Sequence, residues 1–320
     1  MEMQTFWAVV LFVVGLGLII KGGDIFVDAA SWIAEASGIP KFIVGATIVS
    51  IATTLPELLV STIAAAGGSA DGVSMAIGNA IGSVTANTGL IMGVSILFLP
   101  LAIKRSELGL KGMLMVLSIL VLLLLCLNGV LTVWESAIVL LIFVAFVVEN
   151  LYTGAKHKQT DERPQVTKKL LVVNIVKFVL GAAALAVGSR LLVDNGEYLA
   201  VEVLHVPVRI VAITMVAIGT SLPELVTAIT SLVKKQGTMS VGNIIGANII
   251  DVTVILPLCS IIYGGSLPVA DASIRLDMPV CLAEICIAIV PTLIFKKFHR
   301  IQGVAMVALY VAYLVVSVLG

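Results

Sequence analysis

The chain has 320 residues, of which 60% are apolar and only 12% are charged, and its formal net charge is zero. Soluble domains carry roughly 25% charged residues, so this composition excludes a soluble enzyme and a nucleic-acid-binding protein. The apolar runs are continuous rather than alternating, which excludes a membrane β-barrel and favours membrane-spanning α-helices.

A membrane-spanning helix needs roughly 20 apolar residues, and the chain contains ten runs that meet this length. The N-terminal run lacks a basic segment and a small-residue cleavage site, so we interpret it as a first span and not as a signal peptide. The first and sixth runs are longer than an upright span requires, and we expect both helices to tilt. The predicted spans are Phe6–Ala34, Phe42–Ala66, Val73–Leu99, Leu110–Leu127, Leu131–Leu151, Leu170–Ala200, Ile210–Val233, Met239–Tyr263, Leu276–Phe295 and Ile301–Leu319.

Lysine and arginine indicate the orientation of these spans. With the N-terminus placed outside, the inner loops contain fourteen Lys and Arg residues and the outer loops contain only Arg209 and Arg275. Because cytoplasmic loops are enriched in Lys and Arg, the sequence predicts a multi-pass protein of the cell membrane with both termini outside. Asp24 and Asp28 share the first span with Lys21, and we interpret them as polar groups of the gate or of a helix interface, with an ion pair within the helix as the alternative.

The chain also repeats itself. Residues 44–61 read VGATIVSIATTLPELLVS and residues 211–228 read VAITMVAIGTSLPELVTA, while GNAIGSVTAN at 78–87 matches GNIIGANIID at 242–251. The repeats predict an all-α membrane protein of ten helices in two halves of five, and an odd number gives the halves opposite topology. The predicted boundaries are 1–152 for the first repeat, 153–169 for a cytoplasmic linker and 170–320 for the second repeat. Inverted repeats of this kind are typical of transporters with a binding site near the membrane midplane.

Glu57 and Glu224 occupy equivalent positions in the middle of spans two and seven. A carboxylate at this depth costs several kcal/mol unless it faces a partner or a wet cavity. Pro56 and Pro223 precede them and cannot donate a helical hydrogen bond, which leaves a backbone carbonyl free on each helix. A structural carboxylate bonded to a neighbouring helix and a plain proline kink are the alternatives, but two acids at matching positions favour a bound cation.

Neutral oxygen donors accompany both acids. Thr53, Thr54, Thr220 and Ser221 place hydroxyls within a turn of Glu57 and Glu224. Spans three and eight add polar side chains at equivalent positions, namely Asn79, Ser83 and Asn87 in the first half and Asn243, Asn248 and Asp251 in the second. We assign Asn87 and Asp251 to the site, whereas Asn79 and Asn243 remain open between ion binding and hydrogen bonding between helices.

All of these donors are hard oxygens. No histidine lies in the middle of a span, and we interpret the four cysteines as small buried apolar residues. Oxygen cages with several carboxylates suit calcium, and hydroxyl and carbonyl oxygens suit sodium, whereas copper or zinc would favour cysteine or histidine.

The motifs IATTLPE (Ile51–Glu57), IGTSLPE (Ile218–Glu224), GNAIGS (Gly78–Ser83) and GNIIGAN (Gly242–Asn248) resemble those of prokaryotic-type sodium/calcium exchangers of the cation/calcium antiporter superfamily. The resemblance covers essentially the whole chain. It implies Glu57 and Glu224 as central calcium ligands, the four hydroxyls named above as sodium or calcium ligands, and backbone oxygens of Ser50 and Ala217 as further ligands. It also implies that the first and sixth helices slide as a gate.

The chain departs from the exchanger pattern at two positions. Ala247 stands where the equivalent of Ser83 often carries a hydroxyl, which puts the sodium subsites in question. Asn87 and Asp251 also differ between the halves, and our hypothesis is that Asp251 is protonated when both Glu residues bind an ion, since three close carboxylates repel one another.

The sequence therefore predicts a sodium-driven calcium antiporter, with sodium and calcium as transported ions and a lipid bilayer as its surroundings. A proton/calcium exchanger of the same fold is the main alternative, and a cation channel is a weaker one. We expect no enzymatic activity, no cofactor, no nucleic-acid partner and a monomer.

Overall fold

The computed structural model describes residues 2–98, 105–156, 166–205, 219 and 221–319. This part of the chain is helical almost throughout. Its helices are α1 (Met3–Ser37), α2 (Lys41–Thr53), α3 (Leu55–Ala66), α4 (Ala70–Phe98), α5 (Glu107–Asn128), α6 (Val133–Lys156), α7 (Lys168–Val203), α8 (Leu222–Val233), α9 (Gly237–Tyr263), α10 (Ser273–Phe295) and α11 (Arg300–Ser317).

Eight of these helices are long and apolar enough to cross a membrane, and α2 and α3 together form a ninth candidate span, bent by 44°. The chain is therefore a multi-pass membrane protein. The predicted seventh span begins at Ile210, but residues 206–218 and 220 lie outside the described residues, so that only its second half, α8, can be compared. Residues 157–165 of the predicted linker also lie outside them.

Two short strands add a non-helical element that the all-α prediction did not include. β1 (Val130–Thr132) follows α5, and β2 (Ser266–Pro268) precedes α10. They pair antiparallel, with Leu131 opposite Leu267. Both leucines are buried, so the pair joins a loop of the first half to a loop of the second half.

The helices differ strongly in burial. In their most apolar stretches, 72% of α4 and 83% of α9 is buried, against 17% of α1 and of α7. The motif-bearing α4 and α9 therefore form the centre of the bundle. The outward apolar side chains of α1 and α7 match a surface that faces lipid.

Glycines allow α1 and α7 to pack closely. A methyl group on Gly15 would lie 2.9 Å from the carbonyl oxygen of Gly188, and one on Gly188 would lie 2.9 Å from the carbonyl oxygen of Gly15. Gly22 likewise approaches the carbonyl oxygen of Gly181. Small residues spaced in this way let two helix backbones approach each other within a membrane.

The acids of α1 pair with a lysine from another helix, and no ion pair with Lys21 is present among the described residues. Lys234, just after α8, places its Nζ 2.8 Å from Asp28 Oδ1 and 3.4 Å from Asp24 Oδ1. The same Nζ donates to the Asp24 carbonyl oxygen at 2.9 Å. The sequence interpretation placed Asp24 and Asp28 at the gate or at a helix interface, and the fold brings the end of α8 against α1 at these residues.

The glycine contact predicts a difference between two substitutions in α1. We expect Gly15→Ala to lower the melting temperature in detergent, because the added methyl meets the Gly188 carbonyl and overpacking costs roughly 1–3 kcal/mol. Gly17→Ala is the matched control, since no atom lies within 4 Å of a methyl at Gly17 and alanine favours a helix over glycine. Equal melting temperatures for the two variants would contradict the close helix contact.

Candidate cation-binding site

The break between α2 and α3 arises from the sequence around Pro56. α2 ends at Thr53, and α3 begins at Leu55 with Pro56 in its first turn. Because proline has no N–H, the carbonyl of Ala52 lacks its helical partner. The break therefore presents a backbone oxygen, two threonine hydroxyls and Glu57 within a few residues of one another.

The second half begins α8 in the same way. Leu222 is its first residue, Pro223 lies in its first turn, and Glu224 follows. Ser221, the residue before this helix, is buried. Two other predicted site residues of this segment, Ala217 and Thr220, lie outside the described residues.

Three acidic side chains from α3, α8 and α9 lie close together in the interior. Glu57 is 1% exposed, and Glu224 and Asp251 are both 0% exposed. The Glu57 carboxyl interacts electrostatically with both Glu224 and Asp251, and Asp251 interacts with Glu224. The fold thus brings one acid of the first half together with two of the second.

Asn87 and Asp251 both lie where a helix widens from α to π geometry. Asn87 belongs to the π-helical stretch Ala86–Met92 of α4, and Asp251 begins the stretch Asp251–Ile255 of α9. π-helical turns inside α-helices occur frequently at functional sites. The two stretches stand at equivalent positions of the repeat, which indicates that both halves shape the site in the same manner.

Several neutral side chains join the halves by hydrogen bonds. The Thr53 hydroxyl donates to Asn243 Oδ1 at 3.2 Å and approaches the Glu224 carboxyl. Asn87 Nδ2 donates to Asn248 Oδ1 at 3.1 Å, and Asn248 Nδ2 donates to Thr88 Oγ1 at 2.8 Å. These contacts fix α9 against α2 and α4.

The two asparagines left open by the sequence both bond between helices. Asn79 Nδ2 donates to the Glu57 carbonyl oxygen at 3.3 Å and to Ser61 Oγ at 2.8 Å, while Asn243 accepts from Thr53 as described above. Asn79 therefore positions the backbone of Glu57.

Ser50 in α2 and Ser83 in α4 are also buried. The Ser50 carbonyl oxygen, implied as a ligand, accepts the Thr54 N–H at 2.9 Å and the Thr53 hydroxyl at 3.4 Å. Ser83 lies buried in α4, and its repeat counterpart Ala247 is buried in α9 without a hydroxyl. The departure noted at Ala247 thus removes an oxygen from the interior of the bundle.

Many oxygens of the site have no hydrogen-bond partner of ordinary geometry within the described residues. They are Thr54 Oγ1, Asn79 Oδ1, Asn87 Oδ1, Ser221 Oγ and both carboxyl oxygens of Glu57, Glu224 and Asp251. Among those same residues, no lysine, arginine or histidine forms an ion pair with the three acids. Buried polar groups are normally paired, so this arrangement lacks positive charge that a bound cation can supply.

The candidate ligands of this site are hard oxygen atoms. In the described part of the chain, no three His, Cys, Asp or Glu side chains are grouped so as to hold a metal ion. The oxygens that accompany the acids are hydroxyl, amide and backbone carbonyl oxygens. Such a hard-oxygen set matches calcium or sodium.

Sequence reasoning missed one buried acid. Glu284 lies in α10 and is 0% exposed, and neither of its carboxyl oxygens has a hydrogen-bond partner in the described residues. The available signal was an acid inside the apolar run Met278–Phe295. It lacked a matching acid in the other half, on which the selection of Glu57 and Glu224 depended.

The Thr54 hydroxyl, which has no hydrogen-bond partner among the described residues, leads to two opposite expectations, one for the ion-free protein and one for the protein with ions. An unpaired buried hydroxyl costs about 1–3 kcal/mol, so we expect Thr54→Val to raise the melting temperature of the ion-free protein. Since the same oxygen is a candidate ligand, added Na⁺ or Ca²⁺ should stabilise this variant less than the parent protein. Thermal unfolding in detergent, with and without each ion, measures both effects.

Thr62→Val is the control on the same helix, because the Thr62 hydroxyl donates to the Leu58 carbonyl at 2.6 Å. We expect this control to keep the parent response to ions. A full ion response in Thr54→Val would remove Thr54 from the site.

Comparisons with known proteins indicate the family to which the chain is similar. The family described as sodium/calcium exchanger protein matches residues 7–152 and 173–319. The chain is 30% identical to the sodium/calcium exchanger MaX1 of Methanosarcina acetivorans over an alignment of 345 positions that covers 96% of this chain and 97% of that protein. It is 33% identical to the putative antiporter CaxA of Alkalimonas amylolytica over 315 residues, covering 96% of each.

A solved structure of the sodium-calcium exchanger NCX_Mj superposes with a TM-score of 0.82 and 28% sequence identity, covering 96% of this chain and 98% of that one. The likeness therefore extends over both halves and over the motifs that build the site. This protein belongs to the sodium/calcium exchanger family.

Proposed function

We propose that this protein is a secondary active antiporter that exchanges sodium for calcium by alternating access at an acidic site near the membrane midplane. The observation that carries the proposal is the set of buried carboxyl groups of Glu57, Glu224 and Asp251, which have no hydrogen-bond partner among the described residues and interact across the two halves. The names of its relatives, among them sodium/calcium exchangers, support the choice of ions.

We assign the two glutamates to calcium, because two carboxylates balance the charge of one divalent ion. Their neighbours supply neutral oxygens for calcium or sodium. The proposed set comprises Glu57, Glu224, Thr53, Thr54, Thr220, Ser221, Ser83, Asn87 and Asp251, with the backbone oxygens of Ser50 and Ala217. Sodium and calcium then compete for the same acids, so that binding of one ion requires release of the other.

The paired strands support the ten-span topology. Because β1 and β2 are hydrogen-bonded to each other, the loops that carry them must lie on the same side of the membrane. An even number of spans must therefore separate them, and only three long helices, α6, α7 and α9, do so among the described residues. A fourth crossing is required, which supports the predicted span Ile210–Val233.

The glycine contacts support inverted halves. Gly15 and Gly22 of α1 correspond in the repeat to Gly181 and Gly188 of α7. Gly15 meets Gly188, and Gly22 meets Gly181. Such an exchange of equivalent contacts is what a two-fold axis between the halves produces. We infer repeats at 1–152 and 170–320, joined by a cytoplasmic linker at 153–169. Both termini then lie on the outer side of the cell membrane, and we infer that the protein is a monomer.

A proton/calcium exchanger is the second candidate, and Asp251 favours it. This third acid leaves one negative charge after a divalent ion has neutralised Glu57 and Glu224, and a proton can neutralise it. Proton coupling would then replace sodium coupling without another change in the fold.

Calcium flux decides between the two candidates. In proteoliposomes loaded with sodium, we expect an outward sodium gradient to drive ⁴⁵Ca²⁺ uptake, and Glu57→Gln or Glu224→Gln to abolish it. Asp271→Asn is the control, because Asp271 is exposed and paired only with Arg275 in the described residues. Uptake driven by a pH gradient and not by sodium would reverse the order of the candidates.

Asp251 provides a separate prediction. If this side chain is protonated while both glutamates hold an ion, the neutral amide of Asp251→Asn resembles its working state. We therefore expect the Asp251→Asn variant to retain calcium transport in the same flux assay. Loss of transport in a folded Asp251→Asn protein would contradict the hypothesis and make Asp251 a charged ligand.

A further inference from the structure

A fourth acid, Glu284, is buried outside the site assigned above. Its carboxyl oxygens have no hydrogen-bond partner, and no ion pair within the described residues includes it. An isolated carboxylate is costly in such apolar surroundings unless a positive charge accompanies it. Glu284 therefore requires a cation or a proton that no described residue supplies.

Tyr310 on α11 is the polar neighbour of this carboxyl. It is 2% exposed, its hydroxyl lacks a partner in the described residues, and it interacts electrostatically with Glu284. A methyl on Gly89 of α4 would lie 2.8 Å from Tyr310 Cβ and 2.9 Å from Glu284 Oε1. The glycine therefore admits both side chains at a point where three helices meet.

The surroundings of Glu284 are distinct from the main site, which is formed around Glu57, Glu224 and Asp251, but they adjoin it. The acids that act on Glu57 are Glu224 and Asp251, and among the described residues Glu284 does not belong to that group. Gly89 nevertheless lies in the same π-helical stretch as Asn87, and Cys281, one turn before Glu284, interacts with both Glu284 and Asp251. An ion at Glu284 would therefore influence the helix segment that presents Asn87.

Polar groups continue from Glu284 along the seam between α10 and α11. The Tyr313 hydroxyl donates to Asp277 Oδ1 at 3.1 Å, and the rings of Tyr310 and Tyr313 lie 6.4 Å apart. Asp277 lies near the start of α10, at the end of the helix that follows β2. Polar side chains therefore lie along the seam between Asp277 and Glu284.

Helix α5 also packs against α10 and carries charged residues, but it does not neutralise Glu284. α5 packs on α10 through Gly112, which meets Ile289. Its Lys111 is bound to Glu149 at 3.3 Å, and its Glu107 is a further acid. No described cation is thus available from this helix.

We propose that Glu284 and Tyr310 form an accessory site for one monovalent cation, either sodium or a proton, beside the main exchange site. One carboxyl with a neutral hydroxyl balances a single positive charge, whereas a divalent ion would leave net charge in apolar surroundings. The bound ion adjusts the π-helical stretch of α4 and so the affinity of the main site. This role goes beyond exchange itself.

Binding by the purified protein tests the site without any transport. We expect Glu284→Gln to keep the rise in melting temperature caused by Ca²⁺. The variant should either lose part of the rise caused by Na⁺ or lose the pH dependence of its melting temperature. The first result identifies sodium and the second identifies a proton. Tyr310→Phe, which removes only the hydroxyl, should weaken the same response to a smaller degree, and Asp271→Asn should leave it unchanged.

Transport gives the second readout. With sodium at the accessory site, the Hill coefficient for sodium-driven ⁴⁵Ca²⁺ uptake should fall by about one in Glu284→Gln. With a proton there, the pH profile of uptake should flatten while the sodium dependence stays unchanged. Sodium and pH responses identical to the parent protein in both Glu284→Gln and Tyr310→Phe would overturn the accessory site. Failure of the parent to exchange sodium for calcium would instead overturn the proposed function and leave the binding result intact.

Discussion

The central constraint in this molecule is the burial of Glu57, Glu224 and Asp251 within electrostatic reach of one another. Like charges in a medium of low dielectric constant repel strongly, and no described lysine, arginine or histidine pairs with them. The arrangement can persist only if cations or protons occupy it. This cost is the physical basis of our proposal that the three acids bind ions, and it does not depend on any relative.

The helices around the acids are built to bring them together. Proline starts α3 and α8 directly before each glutamate. Gly242 and Gly246 of α9 lie against the carbonyl oxygens of Phe42 and Ala46, leaving no room for a side chain. That close approach of α9 and α2 is what allows Thr53 to bond Asn243 across the halves. Glycine, proline and asparagine thus determine the site as much as the acids do.

Much of this could be read from the sequence. The doubled motif identified Glu57 and Glu224, and the family match supports the exchanger interpretation made from it. The π-helical stretches could not be predicted, since a π turn hardly changes the apolar periodicity. The partner of Asp24 and Asp28 could not be predicted, because Lys234 is distant from them in the chain. Glu284 was missed since its environment depends on Gly89 and Tyr310, which the sequence does not reveal as neighbours.

Anomalous X-ray diffraction from crystals soaked in Sr²⁺, a divalent stand-in for calcium, tests the central claim most directly. One strong anomalous peak between the carboxyl groups of Glu57 and Glu224 is the predicted result, with Thr53 or Thr54 oxygens in its shell. A peak bound elsewhere, with those two carboxyl groups hydrogen-bonded to protein and no ion between them, would contradict the account.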